Sequence, residues 1–173
     1  MATATTKGNK PRGLTRLFFR MPIWLYRLRL GWLLGHRFVM LQHTGRKSGL
    51  PRYTVVEVVR YNPKTDAMII ASGWGEKSDW FRNIQKTPHV QLYLGRRRWP
   101  AESHRLPVSE ATQELKDYAR RHPTAFANLS KMMIGDILEA NDVDCRRLAE
   151  VVPLVKLVYD QKQGNAKLSE TEA

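Results

Sequence analysis

The chain has 173 residues, enough for one domain with a real core and too few for two of ordinary size. A hydrophobic fraction of 42% with five Trp, six Tyr and five Phe excludes a disordered chain, and the single cysteine, Cys145, excludes an internal disulfide or a cysteine-built zinc site. Lys and Arg total 29 against 16 Asp and Glu, and the formal charge of +13 points to polyanions: nucleic acid, anionic lipid or a multiply charged cofactor.

Residues 1–12 lack apolar anchors and read as a disordered arm. They contain no signal-peptide apolar region, and no stretch is apolar for long enough to span a membrane, so the expectation is a cytoplasmic protein. From Leu14 to Leu34, Leu14, Leu17, Phe18, Met21, Leu25, Leu28 and Trp32 recur at helical steps with Arg16, Arg20 and Arg27 opposite. This predicts an amphipathic helix, broken or kinked at Pro22. Packing over a barrel mouth is the first reading of its apolar stripe, and peripheral contact with a membrane surface is the alternative.

Phe38 to Gln42 reads as a strand and Tyr53 to Tyr61 as a second. Between them lies His43-Thr44-Gly45-Arg46-Lys47-Ser48-Gly49-Leu50-Pro51-Arg52. Two glycines and Pro51 predict a turn, on which Arg46, Lys47 and Arg52 converge as cations with Thr44 and Ser48 as hydroxyl donors. Backbone N–H groups in such a turn add to the side-chain charge, so the turn is a candidate nest for a phosphate or carboxylate. A solvated basic hairpin is the competing reading.

Residues 62–66 read as a hairpin turn and Ala67–Ala71 as a third strand, completing a meander. A two-glycine loop, Ser72 to Ser78, leads to a helix over Asp79–Lys86 with Ser78 as its N-cap. The helix start offers free N–H groups and a favourable dipole to an anion. Trp80 and Phe81 either flank a flat ring or pack as core.

His89–Leu94 alternates, with Val90, Leu92 and Leu94 on one side and Gln91 and Tyr93 on the other. Residues 95–98 predict a turn, and Trp99 to Leu106 a partner strand. Ser109 reads as the cap of a helix running to about His122, followed by helical pieces over Pro123–Ile137 and Asp142–Val151. Val152 to Tyr159 closes the fold as a strand, with Pro153 suiting an edge, and residues 161–173 form a disordered tail. Residues 13–160 are expected to form the single folded domain.

The order of these strands, with the ten-residue turn, Ile70-Ala71-Ser72-Gly73 and Trp80-Phe81-Arg82-Asn83, resembles the deazaflavin-dependent nitroreductase and quinone reductase family, over about Pro22 to Leu106. The resemblance implies an α+β, mainly β, fold: a split β-barrel like those that bind FMN, with an N-terminal amphipathic helix and a C-terminal helical insertion. It implies coenzyme F420, a deazaflavin with a phosphate and an oligoglutamate tail, as cofactor. By position, Arg46, Lys47, Ser48 and Arg52 would hold the phosphate and tail, and Tyr53, Thr54, Val55, Val56 and Glu57 would line the strand beneath. Ala71, Ser72 and Gly73 would approach the ring, while Asp79, Trp80, Phe81, Arg82 and Asn83 would close over the tail side.

The implied activity is hydride transfer from reduced F420 to a small quinone, nitro or enone acceptor, with solvent or a nearby Tyr supplying a proton; no catalytic residue and no metal ligand is named. The loop from Gly73 to Ser78 is shorter than in the nitroreductase branch, Asp79 stands where an apolar residue is common, and residues 106–151 carry extra helix. Tyr118 and Tyr159 are the candidates for an acceptor-facing aromatic. Those departures support an alternative of another class, a non-catalytic carrier of flavin (FMN), haem or lipid on the same scaffold. Specific nucleic-acid binding has only charge in its favour. Pairing into a homodimer through the sheets is a further implication of the resemblance.

Overall fold

A computed structural model describes residues 37–62, 64–94 and 97–160. The N-terminal arm, the helix expected over Leu14 to Leu34 and the tail lie outside the described residues.

Six strands, β1 (Phe38–Thr44), β2 (Pro51–Tyr61), β3 (Ala67–Ala71), β4 (His89–Leu94), β5 (Arg97–Arg105) and β6 (Leu154–Tyr159), close into a barrel in the order β1-β2-β3-β6-β5-β4. Every neighbouring pair is antiparallel. Among the described residues four α-helices accompany it: α1 (Asp79–Lys86), α2 (Val108–Arg121), α3 (Pro123–Ile134) and α4 (Asp142–Val151). The fold is therefore α+β and mainly β around the barrel.

Strand alternation builds the interior, because successive side chains face opposite sides. Val39 and Leu41 of β1 meet Val56 of β2, Met68 and Ile70 of β3, Val90 and Leu92 of β4, and Val155 and Leu157 of β6 in one buried cluster. Phe81 and Ile84 of α1 belong to the same cluster. Alternation continues along β2, so that Val58 faces the barrel while Val59 joins a second core on its outside, and the β2–β3 register shifts between Val58 and Arg60. There Ile69, Ala71 and Leu154 are covered by Leu115, Tyr118, Phe126 and Leu148 of the helices.

Several expectations are corrected. The β1–β2 ladder continues through His43↔Arg52 to Thr44↔Pro51, so the turn is shorter than its composition indicates. Arg97 and Arg98 pair with Leu94 and Tyr93 as part of β5, which ends at Arg105. The cap of α2 is Pro107, with its φ of −58°, instead of Ser109. α3 stops at Ile134, and β6 starts at Leu154. Pro153 marks no edge, since β6 lies between β3 and β5 and a closed barrel has none; its carbonyl accepts the Ser72 N–H at 3.0 Å.

Candidate functional site

The β1–β2 turn is held shut by its own backbone. Gly45 N–H donates to the Leu50 carbonyl at 2.9 Å, and Gly49 N–H donates to the Gly45 carbonyl at 2.8 Å. A Cβ on Gly45 would sit 2.8 Å from Ser48 Oγ and 3.2 Å from the Leu50 carbonyl oxygen, so a larger residue crowds this closure. Leu50 N–H donates to Ser48 Oγ at 3.3 Å, and Arg46 N–H to Asn83 Oδ1 at 3.1 Å. Four of the turn's N–H groups, those of Gly45, Arg46, Gly49 and Leu50, are thus spent inside the chain.

The turn's side chains divide in two. Arg46 faces α1, donating from Nη1 to Asn83 Oδ1 at 3.0 Å and pairing through Nη2 with Asp79 Oδ1 at 3.0 Å. Lys86 Nζ donates to the Arg46 carbonyl at 3.2 Å. Lys47, Ser48 and Arg52 are exposed. The three convergent cations of the sequence reading therefore become two exposed cations and one that fastens the turn to the helix.

The same helix start reaches the second sequence word. Ser72, fully buried, donates from Oγ to the Gly75 carbonyl at 2.8 Å and lies 3.0 Å from Ser78 Oγ. Ser78 does stand at the N-cap, yet its hydroxyl makes no capping bond; it meets Ser72 instead. Ser72 consequently shapes the loop with both its N–H and its hydroxyl. Ser78 and Asp79, adjacent in sequence, bring the Ser72 loop and the Arg46 turn to one helix terminus.

Along β2 the candidates fall on two faces. Thr54 and Val56 pair with Leu41 and Val39 and point inward, whereas Tyr53, Val55 and Glu57 point outward. Glu57 Oε1 accepts from Tyr118 Oη at 2.7 Å and from Arg37 at 3.4 Å, which fastens α2 to the barrel. Burial, reinforced by that carboxylate, drives the Tyr118 phenol far up. Phe81 is enclosed in the barrel core, which is the packing reading of the two that the sequence left open; Trp80 is half-buried against the same core and Arg82 is exposed. Tyr159 is buried inside the barrel against Trp99, and its phenol is pushed up to about 12, mainly by burial.

His43 is the residue that sequence reasoning passed over. It continues the inward phase of Val39 and Leu41, which is the signal that could have singled it out, and it is only 5% exposed. Asn83 Oδ1 receives two donors from Arg46, so its Nδ2 is the group that meets His43 Nδ1 at 3.1 Å. Nδ1 then accepts, and the neutral ring carries its proton on Nε2. Burial holds the His43 pKa below its ordinary value, against the opposing pull of the Thr44 backbone.

A cavity of about 620 Å³ opens where β1 and β6 end and β3 and β4 begin. His43, Thr44 and Pro51 lie on its wall, flanking the turn, but none of the residues assigned to the cofactor from the sequence lines it.

The sequence pattern of the F420H(2)-dependent quinone reductase family matches residues 19–133. Among solved structures, an F420-H2 dependent reductase is 18% identical, with 70% of this chain and 93% of that chain covered at a TM-score of 0.49. General Stress Protein 26 from Bacillus anthracis is 17% identical, with 78% and 90% covered at 0.44. A protein of unknown function from Agrobacterium tumefaciens is 15% identical, with 70% and 47% covered at 0.50, and at that identity it speaks for the fold alone. No curated protein matches the chain. Because the family pattern covers well over half of the sequence and includes the turn, the Ser72 loop and α1, this chain belongs to the F420H(2)-dependent quinone reductase family, an oxidoreductase family whose cofactor is reduced coenzyme F420.

Proposed function

We propose that Lys47, Ser48 and Arg52 hold the phosphate and carboxylate tail of coenzyme F420, and that the chain directs hydride to a small organic acceptor, a quinone before a nitro or enone compound. The observation that carries this reading is the division of labour on the turn. Arg46 is consumed in fastening the turn to α1, while two cations and a hydroxyl remain exposed beside it. Such a donor set suits a group bearing several negative charges.

When bound, F420 supplies the hydride chemistry, so a nucleophile and base are not required of the protein. The chain's task is placement. Tyr53 and Val55, on the outward face of β2 next to the turn, form the support beneath the cofactor, and Gly73 allows close approach of the loop that Ser72 fixes. Solvent is the proton source in this scheme. Tyr118 is committed to Glu57, and a phenol with a raised pKa is a poor proton donor.

Titrating the full chain with F420 while following Trp fluorescence tests the first half; no quenching at micromolar cofactor sinks it. Reoxidation of reduced F420 by menadione, absent without protein, tests the second.

A further inference from the structure

We infer that His43 is a positioning residue for the turn: when its Nδ1 takes up a proton, Arg46 is released from Asn83 and affinity for the cofactor's anionic tail falls, a step that rests on the proposed F420 site for its ligand. Asn83, 5% exposed, joins His43 on β1 to Arg46 on the turn. Its amide gives one atom to each side. Nδ2 meets His43 Nδ1 at 3.1 Å, while Oδ1 accepts from the Arg46 N–H at 3.1 Å and from Arg46 Nη1 at 3.0 Å. A protonated imidazole donates from both nitrogens, so its Nδ1–H would confront the Asn83 amino group. Turning the amide over satisfies His43 but aims the amino group at the Arg46 N–H and guanidinium, which are donors as well. Asn83 therefore serves both partners only while the His43 ring is neutral. The bonds from Arg46 to Asp79 and from Lys86 to the Arg46 carbonyl are exposed and add little.

The proton has a path to the ring. His43 lines the cavity of about 620 Å³ at the barrel end, so a proton reaches it without opening the barrel. Charged neighbours pull both ways: Arg52, its partner across the β1–β2 ladder, opposes protonation, and Asp79 of α1 favours it. Arg46 and Lys86 lie beyond Asn83, while Asp66 before β3, His89 of β4, Glu102 of β5, and Tyr159 and Asp160 at the end of β6 line the same cavity. Burial is the largest influence and leaves the ring neutral at pH 7, with the turn fastened. The released turn binds one proton more than the fastened one. Fastening therefore weakens as pH falls below about 6.5, and a ligand that needs the fastened turn must in return make His43 harder to protonate. Lys47 follows Arg46 in sequence and Arg52 lies opposite His43, so the cations assigned to the tail flank the released segment.

The isotope-labelled full chain is titrated from about pH 7.5 to about pH 5 while NMR follows the His43 ring, the Arg46 backbone amide and the Asn83 amino group. F420 affinity is measured over the same range by Trp fluorescence, on the unaltered chain and on His43→Gln. Glutamine still offers Asn83 an acceptor but takes up no proton there, and the cofactor's own titration is common to both chains, so their difference isolates the ring. The Arg46 and Asn83 signals should shift with the His43 midpoint, and the unaltered chain should lose about threefold more F420 affinity than His43→Gln. Bound F420 should lower the His43 midpoint. Asn83→Asp reverses the sign, because a carboxylate accepts from Arg46 and from protonated His43 alike, so the His43 midpoint should rise and the Arg46 amide should stay in place on acidification. An Arg46 amide that is unmoved as His43 titrates, a ring that stays neutral until the chain unfolds, or equal pH dependence in the unaltered chain and His43→Gln would overturn the inference. No F420 binding at any pH would overturn the proposed function, and the joint titration of His43 and Arg46 without ligand would still decide the fastening. That titration uses the unaltered chain and stands even if a variant fails to fold.

Discussion

Asn83 is 5% exposed and makes three contacts with two partners: its Oδ1 serves the Arg46 backbone and guanidinium, and its Nδ2 serves His43. Asn83→Leu leaves the Arg46 N–H and His43 Nδ1 without partners. Loss of about 2 kcal/mol in urea unfolding is expected, with weaker F420 binding because the turn is no longer fastened. Lys86→Ala removes only an exposed bond to the same turn and should cost less than about 1 kcal/mol. A similar loss in both variants would show that the buried amide has no special part. His43 gives a pH prediction whose sign follows from its lowered pKa. The unfolded chain takes up a proton near pH 6.5 while the folded ring resists until lower pH, so the unfolded state binds more protons in that window. Stability therefore falls as pH drops through about 6.5 toward the folded pKa, and the unfolding free energy of His43→Gln should fall less over the same range.

At the scale of elements, α1 and α3 carry what the turn alone does not. The N-terminus of α1 joins the Ser72 loop to Arg46, and α3 reaches the same loop: a Cβ on Gly73 would lie 3.7 Å from Met132 Cε. Met132 is 51% exposed, so its side chain is open to solvent beside Gly73. In the proposed reaction Met132→Ala should leave F420 affinity unchanged and raise the menadione KM severalfold; an unchanged KM would remove α3 from the acceptor side. Gly75 has φ +65°, and a Cβ there would sit 2.9 Å from the Val151 carbonyl oxygen at the end of α4. Gly75→Ala should cost about 1–3 kcal/mol in thermal or urea unfolding, and a neutral substitution would mean that the loop shifts freely.

The bounds of β3, β4, α1 and α4 were legible in the sequence because alternation or helical spacing there is flanked by Gly, Pro or a change of phase. Ladder ends were not. Thr44↔Pro51 and Leu94↔Arg97 are held by backbone pairing that side-chain polarity does not report. The Arg46 turn and the Asn83 helix could be read as words belonging to one family, whereas their hydrogen bond, across 37 positions, is set by the barrel. For the same reason the insertion of β6 between β3 and β5 could not be seen in local composition.

At the scale of the whole molecule, the +13 charge and the proposed tail site make one joint prediction. The 29 basic against 16 acidic residues attract any polyanion at long range, while the turn offers contacts suited to a phosphate and carboxylates. Long-range attraction is screened by salt, and contact pairs on the surface are weakened too, so F420 affinity should fall steadily between low and high NaCl. Lys47→Ala with Arg52→Ala lowers the net charge by only two, a small change in the overall field. If general charge dominates, the double variant should lose little affinity and keep nearly the same dependence on salt. If the turn holds the tail, it should lose about tenfold or more, from two charge-assisted contacts at about 1 kcal/mol each, with a visibly shallower dependence on NaCl. As a control, Arg146→Ala with Arg147→Ala makes the same change in net charge on α4, outside the turn. Equal losses in the two double variants would refute the tail site while leaving family membership untouched.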